Sequence, residues 1–447
     1  MKRLMLSAMG SGQGKTVMTC GRLRALRRRG LRLRSFKCGP DYIDPMFHSR
    51  VLGVPCRNLD LFLMGPAAVR ESLLREDCDL CLLEGAMGFY DGVGGTGENS
   101  AWDLSRQTET PAVLVLRPGG QSLSLAAQVL GMRRFRPESR IAGLLLTDTK
   151  PMLFSHLRPI LERETGLPVL GYLPPMEAAR LESRHLGLVT AGEISDLQAR
   201  LDAVADQIEK TVDLRGLLAL AAEDDPLPED TREAPVRCRI AVARDEAFCF
   251  CYADSLRALR RAGAEIVYFS PLRDRELPED VQGLYLPGGY PELHAEALSR
   301  NETMRASVRG AVEAGVPTVA ECGGFLYLGK TLQDPAGRPW PMAGALPGEG
   351  YPTGGLRRFG YVTLRAERDS LLLRKGEALP AHSFHHWDTT APGEDLMAEK
   401  PVSGAAWTCG FATKTLYAAF PHLHLGGEAP LAERFAGACE AYKKEQP

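Results

Sequence analysis

The stretch "RLMLSAMGSGQGKTVMTCGRLRALRR", Arg3–Arg28, decides the fold of the N-terminal half. An apolar run ends at Ala8, a glycine-rich turn spans Gly10–Gly14, and Lys15 and Thr16 open a helical pattern. Strand, turn and helix in that order are what a phosphate loop requires: glycines let backbone N–H groups close on phosphate oxygens, and the helix start adds a favourable dipole. Gly12 and Gly14 are therefore candidate contacts for ATP phosphates. Lys15 would neutralise the β- and γ-phosphates, and the Thr16 hydroxyl is a candidate Mg²⁺ ligand. The strict motif has glycine at position 9, where this chain has Met9.

Working outward, apolar runs alternate with helical patterns: "LRSFKCG", "DLCLLEG", "AVLVLRPG", "IAGLLLTD", "LPVLGYLP". That rhythm predicts a mostly parallel sheet with helices on both faces. Loops leaving the C-terminal ends of such strands converge on one crevice. "DLCLLEGAMGFYDG" delivers Glu84, expected to complete the Mg²⁺ site with Thr16, and then Asp91. "KCGPDYIDPMFH", Lys37–His48, delivers Asp41, Tyr42 and Asp44. Either of the last two aspartates alone reads as a turn or capping residue, but four carboxylates at one sheet edge read as a site.

A helical stretch from about Ser195 to Ala222 precedes "EDDPLPEDTREAPVR", Glu223–Arg237, which is acidic, proline-bearing and without apolar period. It reads as a linker between domains spanning 1–222 and 238–447. Beyond it the α/β rhythm restarts, and from Gly344 shorter β-type runs predict an irregular or antiparallel extension. Within this half, "PTVAECGGFLYL", Pro317–Leu328, has the form of a nucleophile elbow, a tight strand-to-helix turn exposing Cys322 at a helix start, where thiolate is favoured. "YLPGGYPE" places Gly288 and Gly289 after another strand, where with Gly323 they can aim N–H groups at an oxyanion. The thiol needs a base. His422 and His424 of "FPHLHLGG" are the leading candidates, with His382, His385 and His386 of "AHSFHHWD" as alternatives and His385 the better substrate contact.

The 447 residues suffice for two or three domains, and 44% hydrophobic with 25% charged residues is ordinary for a globular protein. A net charge of -2 argues against nucleic acid or an anionic membrane as partner. The basic cluster "RLRALRRRGLRLR" reads as a solvated helix face suited to the helix dipole. No apolar segment marks a signal or a membrane span, which points to the cytoplasm, and eleven scattered cysteines suit a reducing compartment. "CDLC", Cys78–Cys81, reads as buried core rather than half a zinc site.

A thiol of this kind suits hydrolysis of the glutamine side-chain amide, and an ATP site suits carboxylate activation; together they imply ATP-dependent amidation of a carboxylic acid. Over nearly its whole length the chain resembles the cobyrinate a,c-diamide synthase family, glutamine amidotransferases of cobalamin biosynthesis. The matching segments include "KCGPDYIDPMFH", "NLDLFLM", "EGAMGFYDG", "LESRHLGLV", "LPGGYPELHAEAL", "AECGGFLYL" and "HLHLGG". The resemblance implies an α/β protein with an N-terminal dethiobiotin-synthetase-like phosphate-loop domain and a C-terminal class I glutamine amidotransferase domain. It implies amidation of the a and c acetates of cobyrinic acid through acyl phosphates, with ATP, L-glutamine and the tetrapyrrole as substrates, in a monomer or homodimer. Carried over by motif, Cys322 is the nucleophile and His422 its base, while Asp41, Tyr42, Asp44 and Asp91 surround the carboxylate and nucleotide. Related amidotransferases carry a glutamate two residues beyond the histidine; His424 stands there, leaving a dyad. Further departures from the family pattern are Arg117, Thr147 and Ser383. Rival readings are the same chemistry on hydrogenobyrinic acid or nickel-sirohydrochlorin, and a nucleotide switch with a disused amidotransferase domain.

Overall fold

The computed structural model describes residues 1–179, 191–225, 227 and 235–445. The segment "LESRHLGLV" and part of the expected linker lie outside them. The chain divides into two compact units, Met1–Leu61 with Gly65–Glu229, and Phe62–Met64 with Asp230–Pro447.

In the first unit, β1 (Lys2–Ala8), β2 (Leu33–Cys38), β3 (Cys56–Leu59), β4 (Leu80–Glu84), β5 (Ala112–Leu116), β6 (Ile141–Leu146) and β7 (Val169–Tyr172) form one parallel sheet. Their order is β3-β2-β4-β1-β5-β6-β7, with a short antiparallel strand, Ala222–Glu223, on β1. β4 and β5 are buried along their whole length, as continuous apolar runs predict when helices cover both faces. The sheet order brings the C-terminal ends of β2, β4 and β1 side by side, with Lys37 and Leu6 both in register with Glu84. Helix α1 (Lys15–Arg28) leaves the phosphate turn and packs against the helix Ala191–Thr211 through Val204 and Ile208. A Cβ on Gly21 would stand 2.5 Å from Val204 Cγ1, so the close approach of these helices depends on that glycine.

Two expectations change here. The expected single helix from Ser195 to Ala222 is broken into Ala191–Thr211 and Leu214–Leu220, because Asp213 caps the second piece by accepting the Gly216 N–H at 2.9 Å. The basic cluster is not simply a solvated face. Arg22 is 1% exposed, and burial pushes its guanidinium down to about 9. Arg24 and Arg28 instead pair with Asp202, at 2.5 and 2.6 Å.

In the second unit, β8 (Cys238–Ala243), β9 (Ala264–Phe269), β10 (Gly283–Leu286) and β11 (Thr318–Glu321) form a parallel sheet in the order β9-β8-β10-β11, continued by Leu416–Ala419 and then antiparallel Phe411–Ala412. A second, mainly antiparallel sheet contains the 18-residue strand Glu349–Ala366 paired with the 12-residue strand Ala378–Thr389. The sequence predicts shorter runs there. The strand persists because its glycines and prolines mark register shifts between Pro352, Arg357 and Gly360 rather than strand ends. No helix among the described residues is long and apolar enough to cross a membrane.

Candidate functional site

At the C-terminal edge of the first sheet, Gly12 and Gly14 take φ of 75° and 85°, a left-handed backbone that the turn into α1 demands and glycine adopts without strain. Lys15 Nζ curls back to donate to the Gly10 carbonyl at 2.9 Å and to the Met87 carbonyl. Burial and the neighbouring charge of Lys37 bring its pKa down to about 8. Thr16 Oγ1 donates to Glu84 Oε1 at 2.8 Å, and the same oxygen receives Lys37 Nζ at 2.8 Å. Lys37 also lies 2.5 Å from Asp44 Oδ2, and His48 Nε2 is 3.7 Å from Glu84 Oε2. Burial alone would raise the Glu84 carboxyl; Lys37, His48 and the Thr16 hydroxyl outweigh it and hold the group at about 2.

The four loop residues named from the sequence are used differently. Asp44 joins the lysine–carboxylate network. Asp41 accepts the backbone N–H groups of Ile43 at 2.8 Å and Asp44 at 3.4 Å, opening the short helix α2 (Ile43–Phe47). Burial, then the Asp44 charge, pushes Asp41 up to about 6. Tyr42 is the half-buried residue preceding that helix. Asp91 is exposed; its Oδ2 accepts the Gly88 N–H at 2.9 Å, and its charge reaches Lys15. Beside Gly14 lies a cavity of about 500 Å³, bordered by Gln13, Arg117, Thr147, Asp148 and Met176. Arg117 pairs with Asp148, and Thr147 Oγ1 donates to the Gln13 carbonyl at 2.7 Å.

Thr16 and Glu84 supply hard oxygens, and Glu84 Oε2 has no hydrogen-bond partner among the described residues. A divalent cation bound with nucleotide phosphates takes only one or two protein carboxylates, so this donor set fits Mg²⁺.

In the second unit, Cys322 follows β11 with φ 49° and ψ -101°, a strained conformation for a non-glycine residue and the geometry of an elbow. Neighbouring backbone holds it: Cys322 N–H donates to Ala419 O at 2.8 Å, and Leu326 N–H donates to Cys322 O at 3.0 Å. A Cβ on Gly324 would stand 2.0 Å from Leu286 O, and one on Gly323 3.1 Å from Gly289 N, so the turn admits no side chain. Gly288 faces both reactive groups, since a Cβ there would lie 2.5 Å from His422 Cε1 and 3.5 Å from Cys322 Cβ. Burial would push His422 down, but hydrogen bonding to Cys322 and Glu321 overrides it and holds the imidazole up at about 10. An imidazolium beside the sulfur can deliver a proton to a departing amine.

The other candidate histidines are not placed as the base. His424 is 3% exposed with its ring 5.0 Å from that of Tyr252. His385 stacks on Phe420 at 4.0 Å, and burial brings it down to about 4. His382 exchanges backbone hydrogen bonds with His422, and burial brings its ring to about 3. Cys78 and Cys81 are buried with their sulfurs 3.4 Å apart.

Sequence reasoning missed Lys37, His48 and Glu321. One signal was available for two of them: a charged residue at or next to the C-terminal end of a parallel strand, as in "LRSFKC" and "TVAE". Such a charge is buried at the sheet edge where sites form.

A phosphate-loop nucleotide domain and an elbow-type glutamine amidotransferase domain on one chain define a two-site, glutamine-dependent carbon–nitrogen ligase. The family model for the CobQ/CobB/MinD/ParA nucleotide binding domain matches residues 4–189, and that for the CobB/CobQ-like glutamine amidotransferase domain matches 239–430. Cobyrinate a,c-diamide synthase of Listeria monocytogenes serotype 4b (strain F2365) is 38% identical over 98% of this chain and 100% of its own length. The proteins of that name from Clostridium acetobutylicum and Salmonella typhimurium are 37% and 38% identical, over 96% and 97% of this chain and 98% and 97% of their own lengths. The chain belongs to the cobyrinate a,c-diamide synthase family.

Proposed function

We propose that this chain amidates the a and c acetate carboxylates of cobyrinic acid, using ATP and glutamine, with residues 1–222 as synthetase and 238–447 as glutaminase. The observation that carries the reading is the pairing on one chain of the Lys15–Thr16–Glu84 cluster with the Cys322–His422–Gly288 cluster.

In the glutaminase unit, Cys322 Sγ attacks the glutamine side-chain carbonyl carbon. The carbon–nitrogen bond breaks as His422 gives its proton to the leaving ammonia, and water then hydrolyses the thioester. The N–H groups of the Gly288–Gly289 loop and of Gly323 stabilise the oxyanion. In the synthetase unit, the loop amides, Lys15 and Thr16 hold the triphosphate. Thr16 and Glu84 would hold Mg²⁺, which neutralises charge on the β- and γ-phosphates when bound. A substrate carboxylate oxygen attacks the γ-phosphorus and ADP leaves. Ammonia then attacks the acyl phosphate, and phosphate departs. Asp41, Tyr42, Asp44 and Asp91 line the approach of the carboxylate and nucleotide, with Lys37 paired to Asp44.

The test is incubation with Mg·ATP, glutamine and cobyrinic acid while product mass is followed. Two successive replacements of carboxyl OH by NH₂, and then a halt, is the expected result. No change in mass with cobyrinic acid, but turnover of hydrogenobyrinic acid or nickel-sirohydrochlorin, would reassign the substrate while keeping the chemistry.

A further inference from the structure

Glu321, the last residue of β11, is fully buried and directly precedes Cys322. Its Oε1 accepts the Leu423 N–H at 3.0 Å. Its Oε2 accepts the Tyr285 hydroxyl at 3.2 Å and lies 3.4 Å from His422 Nδ1. Both oxygens are thus directed at the segment that carries the histidine or at the ring itself.

The backbone explains how the residue reaches that position. β11 and Leu416–Ala419 are parallel neighbours, with Glu321 in register with Ala419. The chain that leaves Ala419 therefore carries His422 past the end of β11, three residues on. Tyr417, from the same neighbouring strand, donates its hydroxyl to the Pro421 carbonyl at 2.9 Å and fixes the turn between them. A carboxylate this deep is disfavoured unless it meets hydrogen-bond donors and a cation. The Leu423 N–H and the Tyr285 hydroxyl are the donors, and the His422 imidazolium is the cation.

We propose that Glu321 is the positioning carboxylate of the glutaminase site, the third member that position 424 does not supply. His424 cannot take that part, since it is itself an imidazole, packed beside Tyr252. With Glu321 at Nδ1, that nitrogen keeps its proton, and the Cε1–Nε2 edge is left against Gly288 beside Cys322. Nε2 is then the atom that holds the proton already drawn from the thiol and passes it to the leaving ammonia; Sγ–C forms, C–N breaks, and the proton ends on nitrogen. Glu321 acts only through the ring. The proposal rests on Cys322 and His422 being the glutaminase pair.

The other titratable groups that face this pair are Tyr285, Cys251 and Tyr417 on the carboxylate side and His382 and His385 on the ring side. All stay neutral through the working range, because burial raises the first three and lowers the two histidines. None of the five changes charge where His422 does.

Glutamate release and ammonia-driven synthesis are measured on the full chain for Glu321→Gln, Glu321→Asp and Cys322→Ala. The glutamine variant keeps an acceptor for Leu423 but loses the charge. Its glutaminase kcat is expected to fall about a thousandfold, with KM for glutamine within about threefold of the parent. The alkaline limb of its pH–rate profile should move to lower pH, since removing the carboxylate removes a cause of the raised imidazolium. Glu321→Asp should restore part of the rate and of the limb, and ammonia-driven synthesis should persist in both. Unchanged kcat in Glu321→Gln, or a fall in kcat with the limb unmoved, overturns the proposal by leaving the residue merely structural. If neither variant folds, the Nδ1–H proton resonance of His422 in the intact chain decides. A strongly downfield, exchange-protected signal supports a carboxylate at Nδ1, and an ordinary shift overturns it. Glutamine-driven activity surviving in Cys322→Ala would overturn the glutaminase reading itself, a result distinguishable from any failure at Glu321.

Discussion

Lys37 is bonded to Asp44 and Glu84, while Glu84 also accepts from Thr16, so one buried ammonium balances two carboxylates at the phosphate loop. Removing that cation leaves Glu84, in a fully buried position, with only the Thr16 hydroxyl and His48 against its charge. Lys37→Met should therefore destabilise the chain by about 3–5 kcal/mol. The pH dependence has a definite sign. Glu84 is depressed, so the stability it contributes is present above its ordinary carboxylate pKa and lost as pH falls toward about 2. Asp41 is raised to about 6, so its contribution is present at low pH and lost as pH rises through about 6. Acid titration followed by circular dichroism should show Lys37→Met unfolding at higher pH than the parent. An unchanged acid midpoint would mean Lys37 is not what holds Glu84 ionised. At this scale Gly12, Gly14, Lys15, Thr16 and Cys322 stand in local patterns and are legible in one pass along the chain. Lys37 and Glu321 are not, because each is a lone charge whose partner comes from another strand or from the loop beyond one.

Among the elements, the elbow and the Gly288–Gly289 loop face one another because β10 and β11 are parallel neighbours, Leu286 in register with Ala320. Gly288→Ala tests that approach. Its Cβ would fall 2.5 Å from His422 Cε1, so ring or loop must move. Overpacking of this kind costs about 1–3 kcal/mol. Thermal stability should drop by that amount, glutamate release should fall at least about a hundredfold because the ring leaves its productive position, and ammonia-driven synthesis should be spared. Full glutaminase activity in Gly288→Ala would show that the ring can shift without penalty. Parallel strands were readable from their continuous apolar runs. The long antiparallel strand Glu349–Ala366 was not, because its glycines and prolines sit at register shifts, and at short range those look like strand ends. The break between Thr211 and Leu214 was hidden likewise, since Asp213 gives a capping signal inside an otherwise helical composition.

For the whole molecule, the proposed connection between the two chemistries is a product: ammonia released at Cys322 would be consumed where Lys15 and Thr16 would hold the nucleotide. Two substitutions should therefore separate the reactions in opposite directions. Cys322→Ala removes the proposed nucleophile, and glutamine-driven synthesis should drop at least about a thousandfold while ammonia-driven synthesis continues. Lys15→Ala removes the proposed phosphate-binding cation, and synthesis from either nitrogen source should drop at least about a hundredfold while glutamate release persists. Each variant is the folding control for the other, because each retains the reaction that the other loses. Measuring glutamate, ADP and amidated product together reads all three quantities from one incubation. Loss of ammonia-driven synthesis in Cys322→Ala would make the thiol structural. Loss of glutamate release in Lys15→Ala, in step with synthesis, would mean that the glutaminase requires a loaded nucleotide site, so that the two units act as one coupled enzyme rather than as two activities sharing an intermediate.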